Sequence, residues 1–269
     1  RALYEAIGLG PDDGCFFAAG KEEQAAKLAG AARTRRVAPQ QRPPMKPSRT
    51  RIKICGLTRE SDVDAAVQAG ADAIGFVLYP QSPRFVTPER TAELARRLPA
   101  FVTPVLLFVN ASPAFIAQGT AAVPNALLQF HGDETPADCL AAGRPFLRAA
   151  RIPTGPAGAG FDLLKYAQDF SAAQAILLDA HVEGFGGGGQ SFDWNAFPWS
   201  HPLLNASSRL VLSGGLTPAN VTDGISRVRP WAVDVSSGVE VSKGIKDADK
   251  IHAFVAAVRA ADTLLSRPS

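Results

Sequence analysis

From Arg51 onward, short apolar runs alternate with longer stretches whose apolar positions suit one face of a helix, at intervals of roughly 20 to 35 residues. Eight runs read as strands: Arg51 to Ile54, Ala73 to Leu78, Pro104 to Val109, Ala126 to Phe130, Phe146 to Ala150, Ala175 to Asp179, Arg209 to Ser213 and Ala232 to Val235. The strongest, Val105-Leu106-Leu107-Phe108-Val109, is apolar without alternation, as a strand buried on both faces must be, so a parallel sheet is expected. Four pairs, Thr87-Pro88, Ser112-Pro113, Thr135-Pro136 and Thr217-Pro218, are predicted helix starts. In each the hydroxyl caps an exposed amide and the proline presets the first turn. Eight βα units in about 210 residues predict an α/β fold, a (β/α)8 TIM barrel with a short N-terminal extension. A doubly wound sheet would usually need fewer strands.

The chain before Arg51 has a different texture. Glu22 to Arg33 reads as helical, and the stretch from Val37 to Thr50, with Pro39, Pro43, Pro44 and Pro47, reads as an extended linker. The expected organisation is an extension and linker over residues 1–50, the barrel over 51–262 and a tail over 263–269. Met45, the only methionine, marks a candidate native start just before the first strand.

Charge sharpens this division. The sequence pI of 8.9 invites a nucleic-acid partner, but residues 1–50 hold nine Lys or Arg against five Asp or Glu, and the remainder holds nineteen against twenty. The barrel region is near neutral and shows no basic stripe interleaved with aromatics, so no nucleic-acid binding is expected of it. No segment approaches the roughly 18 unbroken apolar residues of a membrane span, and the first thirty lack a secretory stretch. A cytoplasmic protein with no membrane partner is expected. Cys15, Cys55 and Cys139 are spaced for neither a disulfide framework nor zinc, and His181, His201 and His252 suggest no metal site. Reduced thiols and no metal are expected.

In a barrel of this kind function collects in the loops after the strands. Strand one ends in Cys55-Gly56, and strand two leads to Ser82-Pro83-Arg84. Strand four leads to His131-Gly132-Asp133-Glu134, and strand six ends in Asp179. Strand seven leads to Gly214-Gly215, and strand eight carries Asp234 and then Ser236-Ser237-Gly238. A thiol and a carboxyl group at one rim make a potential base and acid. Gly214, Gly215, Ser236, Ser237 and Gly238 fall after strands seven and eight, where barrels of this class bind phosphate through backbone amides at a helix start.

Taken in order, Lys53-Ile54-Cys55-Gly56-Leu57-Thr58, Ser82-Pro83-Arg84, Gln129-Phe130-His131-Gly132-Asp133-Glu134, Leu178-Asp179, Phe192-Asp193-Trp194, Ser213-Gly214-Gly215-Leu216 and Asp234 through Glu240 resemble phosphoribosylanthranilate isomerase. The resemblance runs from Arg51 to Val258. It implies the third step of tryptophan synthesis from anthranilate, an Amadori rearrangement of phosphoribosylanthranilate that requires no cofactor, in a monomer or homodimer. It also implies Asp179 as the acid that opens the furanose and Cys55 as the base that removes the C2′ proton. Arg84 would pair with the anthranilate carboxylate, Asp234 would lie near the ribose, and His131 would be an accessory group. The family usually has Thr or Ser where this chain has Gly188, within the Gly186-Gly187-Gly188-Gly189-Gln190 loop that is a candidate lid. The histidine-pathway isomerase of the same fold would use two strand-end aspartates, and strand one offers Cys55 instead. A noncatalytic phosphate-binding barrel has no use for an acid facing a base.

The assignment sets a requirement. At neutral pH only about one ordinary Asp in a thousand is protonated and a few per cent of Cys is thiolate. The site must therefore shield the acid and place positive charge or amide dipoles near the thiol.

Overall fold

The computed structural model describes residues 49–181, 191–202, 204 and 209–266, all in the second of two units, Arg1–Pro43 and Pro44–Ser269. The predicted leader helix, the Pro-rich stretch up to residue 48, Cys15, Met45 and the Gly186–Gln190 loop lie outside the described residues.

All eight expected strands form, and they close into a barrel in chain order. They are β1 (Arg51–Cys55), β2 (Ala73–Val77), β3 (Thr103–Phe108), β4 (Leu127–Phe130), β5 (Phe146–Pro153), β6 (Ala175–His181), β7 (Leu210–Leu212) and β8 (Ala232–Val235). Each pairs in parallel with its neighbours, and β8 closes on β1 through Arg51↔Ala232 to Ile54↔Val235. Between them run α1 (Glu60–Ala69), α2 (Pro88–Ala95), α3 (Pro113–Ala122), α4 (Pro136–Ala141), α5 (Leu163–Asp169) and α6 (Val221–Val228). After β8 come a hairpin, β9 (Glu240–Ser242) with β10 (Ile245–Lys246), and then α7 (Ala248–Ser266). Strands β5 and β6 outrun their apolar cores because they stay paired from Leu147↔Ala175 to Pro153↔His181.

Three of the four predicted caps are present. Thr87 accepts from the Arg90 amide and Ser112 from the Phe115 amide. Thr135 accepts from the Asp138 amide while the Asp138 carboxylate returns the bond, a capping box. The fourth expectation is corrected: α6 begins at Val221, not after Thr217. Asn220 takes the Thr217 amide on its side-chain oxygen at 2.8 Å and donates its own amide to the Gly215 carbonyl at 2.9 Å. Such side-chain bonds offer the backbone an alternative to helix, and here they hold a turn ahead of it.

Alternation along each strand sorts the core. Ile52, Ile54, Ile74, Phe76, Leu106, Phe108, Leu128 and Phe130 face the helices. Val105, Leu147, Ala149, Ala175, Leu177, Val211 and Ala232 form a separate cluster inside the barrel. A further step toward the strand C-termini brings Cys55, Val77, Leu107 and Val109 together. The same two-residue period that puts Leu177 inside puts Asp179 above it, and places Lys53 and Cys55 one above the other on β1.

Candidate active site

At the C-terminal ends of the strands one cavity is lined by Cys55, Val77, Tyr79, Arg84, Leu107, Val109, Gln129, His131, Asp179 and Ser213, with the loop residues Gly214, Gly215, Ser236 and Ser237 and with Asp234. Of the residues expected to act in catalysis or to bind substrate or phosphate, all described, only Gly238 does not line it. A Cβ at Gly238 would collide with the Leu216 carbonyl, so this glycine lets the loops after β7 and β8 pack together.

The thiol side is built from charge. Cys55 is 4% exposed. Burial pushes its thiol pKa up, while the Lys53 ammonium pulls against that by charge and hydrogen bonding, Asp234 adds to it, and Lys246 opposes; burial prevails. The Lys53 Nζ donates to Asp234 Oδ1 at 2.9 Å in the barrel interior. Burial pushes Lys53 down, but Asp234 and Cys55 outweigh it and hold the ammonium above its ordinary pKa. Ser213 Oγ sits 3.4 Å from the other Asp234 oxygen.

Arg84 reaches the same side from the loop after β2. Its Nε and Nη2 each donate to Glu240 at 2.8 Å, a bidentate pair that holds the guanidinium plane. Glu240 also accepts from Lys246 Nζ at 2.8 Å, and Lys246 holds the Ser236 carbonyl at 3.0 Å. Burial raises the Glu240 carboxyl pKa, yet Arg84 and Lys246 outweigh it and hold the group below the usual carboxylate range. The β9–β10 hairpin thus clamps Arg84 and the loop after β8 at once.

The carboxyl side is built from an amide and an imidazole. Gln129 Nε2 lies 3.0 Å from His131 Nδ1, and His131 Nε2 lies 3.0 Å from Asp179 Oδ2. With the amide donating to Nδ1, the imidazole carries its proton on Nε2 and donates it to Asp179. Among the described residues Oδ1 of Asp179 takes no hydrogen bond, which leaves it as the oxygen able to work on a ligand. Glu134, which also follows β4, turns away from the cavity: it accepts from the Asn110 and Gly132 amides and from Arg148, tying the β3 and β4 loops together.

Two glycines make room for Cys55 and Asp179. A Cβ on Gly75 would stand 2.6 Å from Cys55 Sγ and 3.1 Å from Lys53 Cε. Gly214, at φ 76°, would put a Cβ 2.5 Å from the Ala180 amide nitrogen and 2.9 Å from Asp179 Oδ1. Lys53, Gly75, Gln129, Glu240 and Lys246 carry no assigned role in the sequence reading. For the first three the available signal was position: a charged residue, a glycine and an amide at inward-facing points of barrel strands, where packed branched side chains are the rule.

A parallel barrel with a thiol, a carboxyl group and a glycine- and serine-rich loop pair on one rim defines the class of phosphosugar-processing barrel enzymes. Within that class the family described as N-(5'phosphoribosyl)anthranilate (PRA) isomerase matches residues 52–257, and the chain belongs to it. The N-(5'-phosphoribosyl)anthranilate isomerase of Methylibium petroleiphilum is 64% identical over 214 residues, covering 80% of this chain and 96% of its own. The crystal structure of phosphoribosyl anthranilate isomerase from Thermotoga maritima superposes with a TM-score of 0.68 at 38% identity, covering 78% of this chain and 99% of that one. Another such isomerase, solved in complex with reduced 1-(o-carboxyphenylamino)-1-deoxyribulose 5-phosphate, superposes with a TM-score of 0.63 at 36% identity over the same shares.

Proposed function

We propose that Cys55 is the general base and Asp179 the general acid of this isomerase. The enzyme converts N-(5-phosphoribosyl)anthranilate to 1-(2-carboxyphenylamino)-1-deoxyribulose 5-phosphate in tryptophan biosynthesis. The observation that carries the residue assignment is that both groups line one cavity whose rim includes Gly214, Gly215, Ser236 and Ser237. Protonated Asp179 accepts from His131 on Oδ2 and delivers the proton on Oδ1 to the furanose oxygen; the C1′–O bond breaks and leaves an iminium at C1′. The Cys55 thiolate then removes the C2′ proton, and the resulting enolamine tautomerises to the ketone.

Arg84, fixed by Glu240 through Nε and Nη2, has Nη1 left for the anthranilate carboxylate, and Val77, Leu107 and Val109 offer an apolar wall for the ring. Phosphate is held by the loops after β7 and β8, and Asp234 lies on the ribose side. We place the catalytic unit in residues 51–262, with residues 1–50 outside the barrel, acting in the cytoplasm on a small-molecule substrate as a monomer or homodimer. Among the described residues no helix is long and apolar enough to cross a membrane.

Loss of substrate fluorescence tests the assignment. Cys55→Ser and Asp179→Asn are each expected to lower kcat by about 10²- to 10⁴-fold with little change in KM. Near-normal kcat in either folded variant removes that residue from the reaction. Arg84→Ala is expected to act mainly on KM.

A further inference from the structure

We infer that Lys53 is the positioning residue that sets how readily Cys55 ionises, and that Gly75 is a glycine because these two side chains share the space its Cβ would fill. The inference rests on the reading of Cys55 as the base. It starts from an anomaly of burial: the Lys53 side chain is 5% exposed, inside a barrel whose neighbouring layer is Val105, Leu147, Leu177 and Val211. Burying an ion pair is expensive, and a well-packed apolar pair of similar volume is often as stable or more so. Lys53 and Asp234 therefore have no compelling structural reason to be charged.

Their placement supplies another reason. Lys53 and Cys55 project from the same face of β1, and Lys53 lies opposite Asp234 in the β1–β8 register. Cys55 lies opposite Gly75 in the β1–β2 register. Sγ of Cys55 and Cε of Lys53 both crowd the point where a Gly75 side chain would begin, so the end of the lysine chain runs alongside the thiol. Any larger residue at position 75 would force the Cys55 sulfur, and to a lesser degree the end of the Lys53 chain, to shift.

The charged groups facing the thiol come from each element around it. Lys53 comes from β1, Asp234 from β8, Lys246 from the hairpin and Arg84 from the loop after β2, while β2 itself presents Gly75 and Val77. Of these, Lys53 exerts the strongest pull toward the thiolate, and Asp234 partly offsets it. Lysine is suited to this work because its compact ammonium acts as a point charge. Asp234 keeps that ammonium protonated despite burial.

The test reads Cys55 directly. The full-length protein and its Lys53→Met variant are treated with iodoacetamide from about pH 6 to about pH 10, and alkylation of the Cys55 peptide is followed by mass spectrometry. The expected result is an apparent Cys55 pKa higher by at least about one unit, with alkylation at neutral pH about tenfold slower. The acid limb of kcat/KM should move to higher pH with it. Because Lys53→Met leaves Asp234 buried without its partner, the double variant Lys53→Met/Asp234→Asn removes both charges together. Its Cys55 profile is still expected to move up, because Lys53 acts on the thiol more strongly than Asp234 does. A Cys55 profile superimposable on that of the parent protein in either folded variant overturns the inference. If the alkylation profile shifts and the kcat/KM profile does not follow, the inference about ionisation stands and the reading of Cys55 as the base fails.

Discussion

The half of the rim built by β1, β2, β8 and the β9–β10 hairpin surrounds its reactive group with full charges, whereas the half built by β4 and β6 uses an amide and an imidazole. Lys53, Asp234, Arg84, Glu240 and Lys246 stand on the first side; on the second Gln129 bonds His131, and His131 bonds Asp179. The difference suits the two roles proposed for Cys55 and Asp179. A base must lose its proton before it acts, and nearby cations favour the anion. An acid must keep its proton until the ring oxygen takes it, so its neighbours should orient one oxygen without flooding the site with positive charge.

Removing one member from each half should expose this contrast most strongly. Glu240→Ala leaves Arg84 and Lys246 facing each other without their shared carboxylate, and breaking a buried pair in this way costs about 3–5 kcal/mol. Gln129→Leu on the other half leaves the buried His131 Nδ1 without its partner, which costs about 1–3 kcal/mol. Denaturant unfolding measures both. Equal losses would mean that charge organises neither half more than the other.

The two glycines offer a smaller and more local intervention. Gly75→Ala drives a methyl group onto Cys55 Sγ, and Gly214→Ala drives one onto Asp179 Oδ1 and the Ala180 backbone. A displacement of about 1 Å at a reacting group can lower turnover by about 100-fold, and that loss in kcat is expected at each position. Gly214→Ala should also lower the melting temperature more, because it strains a left-handed backbone as well as a contact. Wild-type turnover in Gly75→Ala would show that the sulfur has room to spare.

What could be read from the chain and what could not divides along physical lines. The barrel was legible because strands such as Val105 to Val109 are buried on both faces and therefore unbroken in hydrophobicity. Cys55, Asp179 and the Gly214-Gly215 pair stood out as candidates because strand ends in this fold are where chemistry sits, and all four line the cavity. The Thr217 helix start misled because the competing group, Asn220, lies three residues on and acts through its side chain. Glu240 and Lys246 belong to a hairpin too short to have a period of its own, and their value comes from Arg84, far away in sequence. Lys53 and Gly75 needed the register: only when Cys55 lies opposite Gly75, and Lys53 opposite Asp234, does a lysine two residues before the thiol acquire a purpose.

The smallest expected effect concerns acid. Glu240 is held below its ordinary pKa in the fold by Arg84 and Lys246, against the push of burial. A depressed carboxyl contributes stability that is fully present above its unfolded value, about 4.3, and is lost as pH falls through the lower folded value. The parent protein should therefore lose melting temperature below about pH 4.3, and Glu240→Gln, with nothing to protonate there, should show a shallower decline in that window. Asp72, likewise depressed by Arg49 and the Ile52 amide against burial, titrates in the same range, so the variant removes only part of the slope. Gln129→Leu leaves Glu240 and its partners intact and should keep the parent's Glu240-dependent decline below about pH 4.3. Melting curves for the three proteins between neutral pH and about pH 3 make the comparison. If Glu240→Gln also runs parallel to the parent, the Arg84–Glu240–Lys246 cluster is not where this rim stores its dependence on charge.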